Sequence, residues 1–176
     1  MVDTSGSGLH RRGYHTLIAP APLRETLAAA LVLLSYWRAD RLLVDPFCGS
    51  GTIPLEAAMI GLRRAPGLMR SFAAEDWPLV GRRPWEAARR EADEAFDRKT
   101  TLQIQGLDAD PQVLALARVH LRQSGLEGRG LHFRQQDGAG FPTSRKYRGL
   151  ITNPPYRGRM PERRQGDCGC LLSWER

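Results

Sequence analysis

The sequence predicts an α/β fold with an open, parallel, doubly wound sheet that binds its ligand along one edge. Three observations carry this prediction. Four short apolar runs end on or near a carboxylate or an amide: Asp45, Asp108, Asp137 and Asn153. Several stretches between them repeat their apolar residues at helical spacing. The first run leads straight into a small-residue turn, Asp45-Pro46-Phe47-Cys48-Gly49-Ser50-Gly51-Thr52, which opens a helix. In a parallel sheet such strand ends share the carboxyl edge, where doubly wound folds bind ligands.

Taken in order, residues 1–20 are first Gly/Ser-rich and then basic, the composition of a linker or of the edge of something preceding it. Pro22 starts a helix with Leu23, Leu27, Ala30, Leu31 and Leu34 as its expected packing face, and Arg24, Glu25 and Thr26 on or near its first turn. The first strand is Arg41–Val44. Thr52 is the expected N-cap of the next helix, with Pro54 in the first turn, where a missing N–H costs nothing. That helix runs to about Leu62, with Leu55, Ala58 and Met59 as its core face. Residues 63–100 depart from a minimal βαβ unit: Ala73–Pro78 reads as a loop, and Pro84 opens a charged helix carrying Trp85, Ala88, Ala92 and Phe96. This segment reads as an inserted layer with its charges in water. Leu102–Leu107 forms the second strand. Asp110 caps a helix with Pro111 at its first position and Val113, Leu114, Ala117 and Leu121 facing the core, and Gly125 stops it. Leu131–Gln135 and Gly149–Thr152 are the third and fourth strands. No internal repeat or low-complexity tract is present.

A chain of 176 residues is long enough for one domain with a sizeable core. No apolar run reaches the roughly 20 residues of a membrane span, and the N-terminus lacks a signal-peptide layout, so a cytoplasmic location and no membrane partner are expected. The net charge of +7 and pI near 10.0 suit a polyanion such as RNA or DNA, and equally suit solvated surface arginines. Three cysteines cannot build a disulfide framework. Cys168 and Cys170, one residue apart and without a second pair, do not match a zinc site, and no metal is expected. The sequence leaves the oligomeric state open.

The chemistry follows from the strand ends. Glycines allow close backbone approach, and the helix start offers free N–H donors. A carboxylate ending the second strand can accept both hydroxyl protons of a ribose, and one after the third strand can accept from the exocyclic amine of adenine. Asp45 beside the glycine turn suits an ammonium-bearing tail and would repel a pyrophosphate, which argues for S-adenosylmethionine over a dinucleotide. Each aspartate taken singly also reads as a turn or cap residue. In Asn153-Pro154-Pro155-Tyr156 the prolines hold a carbonyl outward without a competing N–H. The Asn153 side-chain oxygen and the Pro154 carbonyl can accept hydrogens from a ring-conjugated amine. They thereby favour the pyramidal nitrogen that attacks a methyl group, a stabilisation by fixed dipoles. Tyr156 offers a stacking face for a planar base, worth roughly 1–3 kcal/mol.

Asp45–Thr52, Gly106-Leu107-Asp108 and Asn153–Tyr156 together resemble the RNA guanine-N2 methyltransferases that carry an N-terminal THUMP domain. The similarity is greatest to the bacterial enzymes acting on large-subunit ribosomal RNA. Leu9-His10-Arg11-Arg12-Gly13-Tyr14, Ala21-Pro22-Leu23-Arg24-Glu25-Thr26 and Ala65-Pro66-Gly67-Leu68 match as well. The resemblance implies a Rossmann-like methyltransferase fold over residues 21–156 with S-adenosyl-L-methionine as donor. It implies that Asp45, Pro46, Phe47, Cys48, Gly49, Ser50, Gly51, Thr52, Asp108 and Asp137 hold that donor. Pro22, Leu23 and Thr26 would close over it, and Asn153, Pro154, Pro155 and Tyr156 would present a guanine amine of RNA.

Two departures accompany it. The THUMP domain of that family is expected before residue 1 and is not among these 176 residues, and residues 157–176 form an Arg/Gly/Cys-rich stretch without a strand pattern. The expectation is a fragment with a divergent, disordered tail from a frame shift near codon 157, an incomplete sheet, an exposed fourth strand and low stability. On that reading only a version with a family-like continuation transfers methyl groups. Three alternatives stay open: adenine-N6 methylation of DNA, methylation of a protein glutamine amide, or a non-catalytic nucleic-acid-binding remnant.

Overall fold

A computed structural model describes residues 3–14, 23–137 and 148–154 of the chain. Its elements are α1 (Glu25–Leu34), β1 (Leu42–Asp45), α2 (Thr52–Gly61), a 3-10 turn (Ala73–Asp76), α3 (Arg82–Glu94), β2 (Ile104–Asp108), α4 (Pro111–Gln123), β3 (Leu131–Gln135) and β4 (Arg148–Leu150). The four strands form one parallel sheet in the order β3-β2-β1-β4. The strand order reverses beside β1, the switch point at which open α/β sheets place their ligand crevice.

The apolar runs become strands because both faces of a parallel strand are covered. Leu43, Val44, Ile104 and Leu107 are buried, and α2 lies in the core with Ile53, Leu55, Ala57, Ala58 and Met59 all buried. At α4 the Asp110 carboxylate accepts the Gln112 N–H at 2.8 Å and Pro111 occupies the first turn, as the sequence indicates. Gly125 follows in the left-handed region, φ +65°.

Several expected boundaries and faces shift. The N-cap of α2 is Gly51, at φ +86°, and Thr52 is the first helical residue. A positive φ is easy for glycine, so the cap falls on it. Ala73–Pro78 contains the 3-10 turn, α3 begins before Pro84, and β4 covers Arg148–Leu150, leaving Thr152 beyond the strand. Helix α1 begins at Glu25, and its buried face is Glu25, Ala28 and Val32. Leu27 and Leu34, expected on the packing face, are 52% and 74% exposed. Small Ala28 permits the close approach of α1 to α2, and that contact turns the leucines outward.

The inserted segment is held by arginines. The Arg89 guanidinium pairs with Glu75 and donates to the Arg70 carbonyl at 2.7 Å. Arg70 in turn donates to the carbonyls of Ser5 and Gly8, each at 2.9 Å, and Ser7. Residues 3–14 therefore run against the insert. Phe72 and Trp85 stack at 5.7 Å between ring centres. No residue of α3 is buried; most of its charged side chains are exposed, and half-buried Arg89 is the exception.

Candidate functional site: the carboxyl edge of the sheet

The parallel register aligns the ends of the strands. Asp45 is level with Gly106 of β2, and the Ile151 N–H donates to the Val44 carbonyl at 3.2 Å, which brings the residues after β4 beside the end of β1. There the Thr152 hydroxyl donates to Asp45 Oδ1 at 2.7 Å. Asn153 and Pro154, the next residues, are half-buried at this edge. Pro155, Tyr156 and Pro22 lie outside the described residues.

The Asp45 turn is built on close backbone contacts. The Cys48 N–H donates to the Leu107 carbonyl at 2.8 Å, and the Gly49 N–H donates to Asp108 Oδ2 at 2.9 Å. A second N–H, that of Asp110, donates to Asp108 Oδ1 at 3.0 Å. Phe133 from β3 fills the space beneath: a Cβ on Gly106 would lie 2.6 Å from its ring, and one on Gly51 2.7 Å. A Cβ on Gly49, at φ +53°, would meet nothing within 4 Å. The turn is thus tightly backed on the protein side and open at Gly49. Asp137 follows β3 and is exposed, with the neighbouring Gln136 N–H donating to the Asp108 carbonyl at 3.0 Å. Leu23 packs against the core and Thr26 is exposed.

Asp45 is 1% exposed. Burial pushes its carboxyl up to about 7, against the pull of the hydrogen bonds from Thr152 and Phe47, and the charge of Asp108 adds to the rise. A buried acid in this position gains most from a cation placed beside it. Burial, followed by repulsion from Asp45 and Asp108, keeps the Cys48 thiol protonated. Cys48 is therefore a packing residue of the turn rather than a nucleophile. Among the described residues no group of three or more His, Cys, Asp or Glu could hold a metal ion.

Behind the turn lies a buried polar cluster absent from the sequence-based site. Glu56 of α2 is 2% exposed. It accepts the Tyr14 hydroxyl at 2.9 Å and pairs with Arg12, Oε1 to Nε, at 3.4 Å. Burial raises the Glu56 carboxyl, Arg12 opposes that rise, and Glu25 at the start of α1 adds to it. The ring of buried His120, on α4, stands edge-on to Tyr14 at 6.5 Å and places Nδ1 3.1 Å from the Ser50 carbonyl of the turn. The one signal in the sequence is a lone carboxylate inside the otherwise apolar run Ile53–Met59. Glu56→Ala removes the ionic partner of the half-buried Arg12 guanidinium and an acceptor of the buried Tyr14 hydroxyl. It is expected to cost about 3–5 kcal/mol, read as a lower urea midpoint, with Glu56→Gln intermediate.

The sequence profile of the RMKL-like methyltransferase domain matches residues 12–167, most of the chain. The chain belongs to the RMKL-like methyltransferase domain family. It is 43% identical over 163 residues to the Bacillus subtilis protein named "Putative RNA methyltransferase YpsC", covering 93% of this chain and 42% of that one. It is 38% identical over 180 residues to the ribosomal RNA large subunit methyltransferase K/L of Magnetococcus marinus, covering 92% of this chain and 24% of the relative. The chain therefore spans about two fifths of the first relative and a quarter of the second. The crystal structure of "SMU.472, a putative methyltransferase complexed with SAH" superposes with a TM-score of 0.85 at 42% identity, over 94% of this chain and 43% of that one. The parallel sheet read from the strand ends is observed, and the Rossmann-like methyltransferase fold implied by the resemblance is the fold of this family. The glycine turn, the buried acid and the half-buried Asp108 fit a donor carrying an ammonium group and a ribose.

Proposed function

We propose that this chain is the donor-binding and methyl-transferring unit of an S-adenosylmethionine-dependent RNA methyltransferase that acts on a guanine N2 amine, in ribosomal RNA and in the cytoplasm. The observation that carries the proposal is the Thr152–Asp45 hydrogen bond, which sets the start of the Asn-Pro-Pro-Tyr motif against the glycine turn. The name of the K/L relative supports the ribosomal substrate, and the SAH in the SMU.472 structure supports the donor.

When bound, the donor supplies an electrophilic sulfonium methyl. Asp45 faces the ammonium of its amino-acid portion, and the glycine turn lets that portion approach the backbone. Asp108 receives the ribose hydroxyls through the lone pairs its two backbone bonds leave free. Asp137, at the exposed end of β3, serves the adenine amine. Asn153 and the Pro154 carbonyl take the amine hydrogens of the acceptor base and hold its nitrogen pyramidal. Pro155 keeps the backbone free of a competing donor, and Tyr156 stacks on the base. Following the family resemblance, Pro22, Leu23 and Thr26 would close over the donor. The net charge of +7 draws the chain to the phosphate backbone.

The test is incorporation of labelled methyl from S-adenosylmethionine into undermodified ribosomal RNA, followed by nucleoside analysis. It is run on this chain and on a version carrying a family-like continuation after Tyr156. Label recovered as N2-methylguanosine supports the reading. With DNA or protein offered as acceptor in parallel, label recovered as N6-methyl-2′-deoxyadenosine or as methylglutamine, and none in RNA, supports the corresponding alternative and overturns this one.

A further inference from the structure

We propose that Thr152 is a positioning residue that tunes the donor site, through the bond from its hydroxyl to Asp45. This rests on the reading of Asp45 as the partner of the donor's ammonium and goes beyond it, because the four-residue acceptor motif begins only at Asn153. Three observations carry it. The bond is short, 2.7 Å, and joins residues 107 positions apart. Its acceptor is a carboxylate that is 1% exposed. Among the described residues, Oδ1 also accepts the Phe47 N–H at 3.2 Å, within the turn itself.

The groups around Asp45 define what the hydroxyl does there. Asp108 faces it from the end of β2, and Cys48 faces it from the turn, with its thiol protonated. Of the described residues after β4, 151–154, Thr152 contributes its hydroxyl and none carries a charge. A hydrogen bond from an uncharged donor stabilises the ionised carboxylate against burial and against the Asp108 charge. Removing it makes Asp45 harder to ionise near neutral pH, so the acid offers less charge to an ammonium. The same bond ties the residue preceding Asn153 to the donor turn, so it also fixes the approach of the acceptor motif.

The test measures binding of S-adenosylhomocysteine and of 5′-methylthioadenosine by calorimetry at pH 6.5, 7.0 and 8.5. The second ligand lacks the amino-acid portion and does not need Asp45. The proteins are the wild-type chain, Thr152→Val, which keeps the shape, and Thr152→Ser, which keeps the hydroxyl. Thr152→Val is expected to bind S-adenosylhomocysteine about fivefold more weakly at pH 7.0 and within about twofold of wild type at pH 8.5. Its affinity for 5′-methylthioadenosine is expected to stay unchanged, and Thr152→Ser to behave as wild type. Equal loss of both ligands in Thr152→Val overturns the proposal, since it marks a merely structural residue. Wild-type affinity of Thr152→Val at every pH overturns it as well. A folded wild-type chain that binds neither ligand overturns the donor-site reading itself.

Discussion

Asn153→Ala is expected to reduce methyl transfer by about 100- to 1,000-fold while leaving donor affinity within about twofold of wild type. Asn153 follows the residue bonded to Asp45 and reaches the edge from β4, whereas the donor turn is held from β1, β2 and β3. Its side-chain oxygen is assigned to the acceptor amine, and that interaction strengthens only as the nitrogen becomes pyramidal. Removing it therefore lowers kcat and kcat/KM together. Single-turnover incorporation of labelled methyl, paired with calorimetry on the same protein, checks both halves. A proportional loss of donor binding would place Asn153 in the donor site instead.

Asp45→Asn is expected to stabilise the fold and to weaken donor binding. Burial raises the folded-state pKa of Asp45 from 3.8 to about 7. Between those two values the folded state holds a proton that the unfolded state has lost, so stability falls as pH rises through this window. The neutral amide keeps an oxygen for Thr152 and Phe47 and removes the buried charge. The gain is expected to be absent below about pH 4 and to grow to at most about 4 kcal/mol by pH 8. The same exchange removes the proposed partner of the ammonium, and the affinity for S-adenosylhomocysteine is expected to drop at least tenfold at pH 8. Urea melts at several pH values and calorimetry read the two effects separately. A site that gives up stability for a charge its ligand will meet shows this pairing of gain and loss.

Local signals made most of the fold legible. The apolar runs closing on Asp45 and Asp108, the Asp110-Pro111 helix start and the Gly125 stop depend on neighbours in the chain, and each falls where the residues indicate. The facing of α1 was not legible. Five leucines and alanines at helical spacing describe a stripe, but the tight contact with α2 goes through Ala28 and Val32, leaving Leu27 and Leu34 outward. The shift of the α2 cap from Thr52 to Gly51 reflects a left-handed backbone that composition alone does not reveal.

At the site, residue types and spacing marked Asp45, Asp108 and Asn153 because each follows or ends an apolar run, and the parallel sheet brings the ends of β1 and β2 and the residues after β4 to one edge. The cluster of Arg12, Tyr14, Glu56 and His120 stayed hidden because its members pair across 42 to 44 residues or through a backbone carbonyl 70 residues away. Thr152 looked like the end of a strand. Only the register of β4 against β1 turns its hydroxyl into a partner of a buried acid.

The central claim is that a single edge carries both the donor turn and the start of the acceptor motif. A titration of the isotopically labelled chain with S-adenosylhomocysteine, followed through its amide resonances, tests this most directly. The account predicts saturable shifts at Gly49, Gly51, Asp108 and Thr152, with Trp37 and Arg64 at the opposite end of the sheet unmoved. Shifts confined to Trp37 and Arg64, or none in a folded sample, would contradict it.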